Sequence, residues 1–262
     1  MADYPHWTKQ FNSFEDPLCK ILLAFAAGDA FGAYYEFSGK HLEIPNKLRA
    51  KENWPAGGVS DDTALSLLTI QSMESENPGL TYLNLLKENI EKLRGLGPTT
   101  RRALGLEVKA DERGELGNTN GALMRSALCG LANFSDEQIV SSIQVTHQGK
   151  AALEFALKLV ELFRGAELPK IPLPTVEVNL DPEITFNAVC AVVSNATSVS
   201  DAYIKACSLG GDTDTVAALS GALFLSRFED ATFLEIDWLS QINWAEISEG
   251  IDQAVLILRR NS

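Results

Sequence analysis

Ser60-Asp61-Asp62-Thr63 leads directly into Ala64-Leu65-Ser66-Leu67-Leu68-Thr69-Ile70, and Asp212-Thr213-Asp214-Thr215 leads into the apolar run from Val216 to Phe228. Each stretch puts four oxygen-bearing side chains at the head of a segment that reads as helix. Capping accounts for part of this. Ser, Asp and Thr accept the unpaired first-turn N–H groups, and carboxylates favour the positive end of the helix dipole. A cap uses one oxygen, however, and two carboxylates in one turn repel each other unless a cation lies between them. All-oxygen donors suit Mg²⁺, Mn²⁺ or Ca²⁺ better than zinc or copper. Cap and metal ligand both stand as readings here.

Working outward, Asp16-Pro17 marks a helix start, since Pro is accommodated in a first turn. The segment from Leu18 to Ala27 is apolar nearly all round, the pattern of a central helix. It runs into Gly28-Asp29-Ala30-Phe31-Gly32-Ala33-Tyr34-Tyr35-Glu36. Gly28 and Gly32, one turn apart, leave a flat strip for the close approach of a backbone or a ligand. Asp29 and Glu36 would share a face if the helix continued, and an Asp in such apolar surroundings needs a partner. If the helix ends instead, Glu36 is solvated.

Further along, Asn77-Pro78-Gly79 is a turn, and Leu83, Leu86, Ile90 and Leu93 recur at helical spacing, predicting an amphipathic helix over 80–94. Pro98-Thr99-Thr100 opens another helix, and a charged loop spans Glu107 to Glu115. Gly117-Asn118-Thr119-Asn120-Gly121 precedes a helix. Its Gly and Asn residues offer exposed N–H groups that suit a phosphate, although such a stretch also serves as a plain turn. Ser135-Asp136-Glu137-Gln138 is a capping box. The helix it opens ends at Thr146-His147, where His147 reads as a capping or polar-contact residue. Helices follow over 151–163, 186–196, 201–209 and from Asp212 on, and Ile247, Ile251, Val255 and Leu258 mark a last amphipathic one. The Pro-rich stretch 167–182 reads as an excursion within one domain rather than a linker. Strand alternation is nearly absent, Val176-Glu177-Val178 coming nearest. The expectation is an all-α, compact single domain over residues 1–262.

The bulk properties narrow the partners. A chain of 262 residues with 45% hydrophobic and 22% charged residues buries a substantial core. A net charge of −13 disfavours nucleic acids and anionic membranes, both of which reward clustered Lys and Arg. Cys19, Cys129, Cys190 and Cys207 form no C-x-x-C pair and sit in apolar surroundings, which suggests free thiols in a reducing compartment. No basic n-region precedes an apolar stretch at the N-terminus, and the run 18–27 is too short to span a bilayer. The expected location is cytoplasmic, with no membrane partner.

Collected in order, these stretches resemble the ADP-ribosylglycohydrolase family. The likeness rests on Gly28-Asp29-Ala30-Phe31-Gly32 with Glu36, Ser60-Asp61-Asp62-Thr63, Pro98-Thr99-Thr100-Arg101, Gly117-Asn118 with Asn120-Gly121-Ala122-Leu123-Met124-Arg125, Thr146-His147, and Gly210-Gly211-Asp212-Thr213-Asp214-Thr215. Singly each is weak, but their order is specific. The resemblance implies an all-helical domain with a binuclear Mg²⁺ or Mn²⁺ centre in a cleft. It assigns Ser60, Asp61, Asp62, Asp212, Asp214 and Thr215 as ligands, with Glu36 beside the metals. Asn118, Asn120, Gly121 and His147 would line the ADP-ribose cleft. Two features depart from the family pattern: Ser60 stands where Thr is usual, and the loop 117–121 is longer than the usual Gly-Asn-Gly core.

The activity implied is hydrolysis of ADP-ribose from a modified protein side chain, foremost N-glycosidic ADP-ribosylarginine, by a monomer that releases free ADP-ribose. Glu36 is the candidate for stabilising charge or handling protons, with Asp61 and Asp62 as alternatives. Competing readings are a non-catalytic ADP-ribose-binding or structural member of the family, hydrolysis of another ADP-ribose linkage, and an Mg²⁺-dependent enzyme of prenyl diphosphates. The last places its acids as D-D-x-x-D inside a helix, and Leu65 occupies the position that would carry the final acid.

Overall fold

A computed structural model of the chain describes residues 4–41, 43–51, 54–109, 117–230 and 232–262. Among these the secondary structure is eleven α-helices, several short 3-10 helices and no sheet, as expected of an all-α fold. Among the described residues no helix is long and apolar enough to cross a membrane. The chain gathers into two compact units, each built from three stretches. One comprises Met1–Val59, Leu168–Asn179 and Asn187–Leu256, the other Ser60–Glu167, Leu180–Phe186 and Ile257–Ser262.

The first unit is built on α1 (Pro17–Gly32), whose N-cap Asp16 accepts from Leu18 N. From Ile21 to Gly32 every residue of α1 is buried, which bears out its reading as a central helix. It packs on α10 (Thr213–Arg227) and α9 (Val199–Leu209). The glycine strip on α1 meets backbone, not ligand. A Cβ on Gly28 would come within 2.4 Å of Ala217 O, and one on Gly32 within 2.4 Å of Asp214 Cα. Tyr203 of α9 donates to Ala24 O of α1 at 2.7 Å while its ring covers Gly221 of α10, so one phenol ties three helices. The N-terminal segment is clamped by Asp252, whose carboxylate accepts from the amides of Asn12 and Ser13. Trp7 stacks on Trp244 at 5.1 Å.

In the second unit α2 (Asp61–Ser72), α3 (Pro78–Asn89), α4 (Pro98–Ala103), α5 (Gly121–Ser126), α6 (Asp136–Gln144) and α7 (Lys150–Phe163) follow one another. The capping box at Ser135 is present in both directions, Gln138 N to Ser135 Oγ and Ser135 N to Gln138 Oε1. Arg125 of α5 is wholly buried. It donates to Thr69 Oγ1 of α2, to the Ser142 and Ile143 carbonyls at the end of α6, and lies 4.1 Å over the Tyr82 ring of α3. Helix carbonyls and an aromatic face take the place of a carboxylate there, both favourable to a cation.

Several expectations shift in detail. α3 stops at Asn89 and continues only as a 3-10 turn over Ile90–Lys92. α8 (Pro182–Asn195) starts four residues early, and α11 (Ser248–Arg260) runs slightly past its predicted end. Residues 110–116 of the charged loop lie outside the described residues. All four cysteines are free and buried.

Candidate functional site

Two backbone devices build the first unit's acidic centre. Gly210 and Gly211 have φ of +73° and +80°, a region that only glycine enters without strain. Val178 bridges to Gly211 in parallel: Val178 N donates to Gly210 O and Asp212 N to Val178 O, at 3.1 and 2.8 Å. A Cβ on Gly211 would sit 1.8 Å from Val178 O. The Pro-rich excursion therefore props the turn that places Asp212 at the head of α10 and Asp214 in its first turn.

The second device is the end of α1. The helix stops at Gly32 and does not reach Glu36, so the shared helical face expected for Asp29 and Glu36 does not form. Tyr35 N and Glu36 N both turn back to Gly32 O, and Phe37 N donates to Gly211 O at 2.8 Å. That last bond ties the Glu36 turn to the residue before Asp212. As a result, carboxylate oxygens of Glu36, Asp212 and Asp214 all lie within 4.8 Å of one another.

Their electrostatics show a deficit of positive charge. Burial, then the charge of Asp214, pushes the Glu36 carboxyl up to about 7, Asp29 adding to the effect and Lys51 opposing it. Asp214 is held well above the usual carboxylate range by burial and by its charge and hydrogen-bond coupling to Asp212. Lys51, 3.8 Å from Glu36 Oε2 and 41% exposed, offsets little of this. Three convergent carboxylates are a donor set that could hold a hard divalent cation, which would offset this charge. Asp29, fully buried on α1, lies close enough to raise both Glu36 and Asp214 further, as an acid within so apolar a helix suggests.

The two acid-hydroxyl stretches part company over capping. Ser60 caps α2, its Oγ accepting from Asp62 N at 3.1 Å, so there the cap reading holds for the serine and leaves both carboxylates unneeded for it. Asp212 makes no side-chain cap to α10. Asp214 Oδ1 accepts from Thr215 N, and Thr215 is buried. Ser60, Asp61 and Asp62 stand at the head of α2 in the second unit, Ser60 and Asp62 buried and Asp61 half-buried.

The loop 117–121 is held by its own polar groups. Asn118 Oδ1 accepts from Ala152 N, capping α7, whose own N-cap Gly149 carries no side chain to do so. Asn120 donates from its amide to Leu180 O and from Nδ2 to Thr185 Oγ1. His147 lies buried beneath, Nε2 at 2.9 Å from Thr119 Oγ1 and Nδ1 at 2.7 Å from Thr146 Oγ1. A Cβ on Gly121 would come within 3.1 Å of the His147 ring. Arg125 donates to the same Thr146 oxygen, which also reaches the Ile143 carbonyl, so His147 is held in a shared polar network. Burial, then Arg125, pushes its pKa down to about 3, so the ring is neutral at physiological pH. A polar recess of about 190 Å³ lined by Thr99, Arg102, Gly117, Thr146 and Gln148 opens beside this loop.

Comparison with known proteins bears on the fold and the family. No curated protein matches the chain in sequence. A solved structure described as an "ADP-ribosylglycohydrolase-related protein complex" is similar in fold, with a TM-score of 0.74 and 22% identity over 95% of this chain and 99% of that one. The family model of ADP-ribosylglycohydrolase matches residues 12–183, which takes in Glu36, Ser60 to Asp62, the 117–121 loop and His147 and stops short of Asp212. The chain belongs to the ADP-ribosylglycohydrolase family.

Proposed function

We propose that the protein is a metal-dependent hydrolase that removes ADP-ribose from a modified protein side chain, foremost the N-glycosidic bond of ADP-ribosylarginine, and releases free ADP-ribose. The observation that carries this reading is the convergence of Glu36, Asp212 and Asp214 within 4.8 Å, with too little positive charge around them. In the proposal two Mg²⁺ or Mn²⁺ ions are held by Asp212, Asp214 and Thr215 together with Ser60, Asp61 and Asp62. When bound, such ions supply countercharge and Lewis acidity.

This chain's own residues do the rest. Hydrolysis breaks the bond between the anomeric carbon and the guanidine nitrogen. Water oxygen adds to the carbon, and the leaving guanidine gains a proton. Positive charge builds on the anomeric carbon as the bond breaks, and the Glu36 carboxylate stabilises it and takes the proton from the attacking water. Asp61 or Asp62 is the alternative for that task. The 117–121 loop faces the diphosphate end, with Asn118, Asn120 and Gly121 as subsite residues, and His147, neutral and bonded to Thr119, shapes the loop from below.

The remaining partners follow from the same reading. The protein acts as a monomeric, single-domain enzyme on ADP-ribosylated proteins, with four unpaired thiols suiting a reducing, cytoplasmic setting. The test is a panel of arginine-, serine- and ester-linked ADP-ribose offered with Mg²⁺ or Mn²⁺. Release of free ADP-ribose from the arginine-linked member, lost in Asp61→Ala and Asp214→Ala, is expected. Binding of ADP-ribose with no hydrolysis of any member would instead favour a binding role.

A further inference from the structure

Phe37 occupies a position that the fold does not explain. Its φ is +49°, and among the described residues no other non-glycine residue has a positive φ. A bulky side chain avoids that region because its Cβ crowds the backbone carbonyl. Burial does not compensate, since the residue is 58% exposed. The conformation is held by backbone, through Phe37 N to Gly211 O at 2.8 Å and the turn that closes with Ser38 N on Tyr35 O at 3.1 Å. A glycine would make the same bonds without strain.

Strain kept at an exposed position is characteristic of residues that handle a ligand. Here the strained residue directly follows Glu36, and its amide is bonded to the residue before Asp212. The backbone therefore anchors an exposed phenylalanine next in the chain to Glu36 of the acidic centre. The face of such a ring carries the negative lobe of the aromatic quadrupole and binds planar cations, a guanidinium best of all.

We propose that Phe37 is a specificity-determining residue on which the guanidinium of the acceptor stacks, favouring arginine-linked ADP-ribose over uncharged linkages. This rests on the function proposed above. It assigns Phe37 no part in bond breaking, only the placing of the leaving group.

The experiment compares wild type with Phe37→Leu, which keeps apolar bulk without a π face, and Phe37→Gly, which relieves the backbone. Hydrolysis of arginine-linked and serine-linked ADP-ribosyl peptides is measured in Mn²⁺, together with ADP-ribose affinity and melting temperature. Loss of a cation–π contact predicts a fall of about 2- to 30-fold in kcat/KM for the arginine-linked peptide in both variants. ADP-ribose affinity and serine-linked turnover stay within about twofold, and Phe37→Gly melts at or above the wild-type temperature. Equal losses on both linkages, loss of ADP-ribose binding, or no loss at all would overturn the assignment of Phe37 while leaving the hydrolase reading intact. A wild type that cleaves neither peptide would overturn that reading, and this one with it.

Discussion

Asp214→Asn should make the metal-free protein more stable. The oxygens of Glu36, Asp212 and Asp214 lie within 4.8 Å, and two full charges at that separation repel by about 3.5 kcal/mol at an effective dielectric constant of ~20. That figure is a ceiling. Burial and the neighbouring Asp212 favour the protonated form of Asp214, and the Glu36 side chain is 35% exposed and so screened by water. Relief of about 1–2 kcal/mol remains, a rise in melting temperature of about 2–8 °C for a chain of this size. Asn keeps the oxygen that accepts from Thr215 N, so the first turn of α10 is not sacrificed.

The pH dependence has a definite sign. Glu36 titrates near 7 in the folded protein, above its ordinary value of 4.5, so the folded state binds its proton more tightly than the unfolded one. Its contribution is present below about 4.5 and is lost as pH rises through about 7; the raised Asp214 acts in the same direction. The advantage of Asp214→Asn over wild type in chelator should therefore widen from pH 5 to pH 8. In saturating Mn²⁺ the order should reverse, because only the wild type keeps its full ligand set. Thermal melts across this grid decide the matter. A variant that melts below wild type in chelator at pH 8, or a difference indifferent to pH, would refute the reasoning.

Other outcomes follow from the packing. Gly32→Ala drives a Cβ to within 2.4 Å of Asp214 Cα, so it should lower stability by about 3 kcal/mol or more and weaken metal binding as well, read by thermal melts with and without Mn²⁺. His147 should stay neutral down to about pH 4, its ring resonances in nitrogen-detected NMR spectra remaining those of a neutral imidazole throughout. Since its folded pKa is depressed, its stabilising effect should decline as pH falls below the ordinary histidine value.

The parts of this fold that were legible in sequence were those decided locally. α1 and its Asp16 cap, the Ser135 capping box and the helix head at Ser60 follow from residues that satisfy their own first turns. The Gly28 and Gly32 strip showed that something would approach closely, but only the packed structure shows that it is the backbone of α10. Glu36 was legible as chemistry and misplaced as geometry, because the turn that holds it depends on Gly211, 175 residues further on. Likewise the 3-10 turns from Phe233 to Glu246 carry no periodicity of their own and are fixed by contacts such as Trp7 on Trp244 and Trp238 Nε1 to Asn46 Oδ1. The capping of α7 by the Asn118 side-chain oxygen, 34 residues away in sequence, was not legible either, a role set by tertiary structure.

The claim on which the functional account rests is that this protein holds divalent cations on its carboxylates. Mn²⁺ binding to the chelator-stripped wild type, Asp61→Asn and Asp214→Asn, measured by calorimetry with metal content checked by elemental analysis, tests it most directly. Two ions per chain in the wild type, with at least one lost in each variant, is the predicted result. Failure of the wild type to bind Mn²⁺ or Mg²⁺, or binding unchanged in both variants, would contradict it.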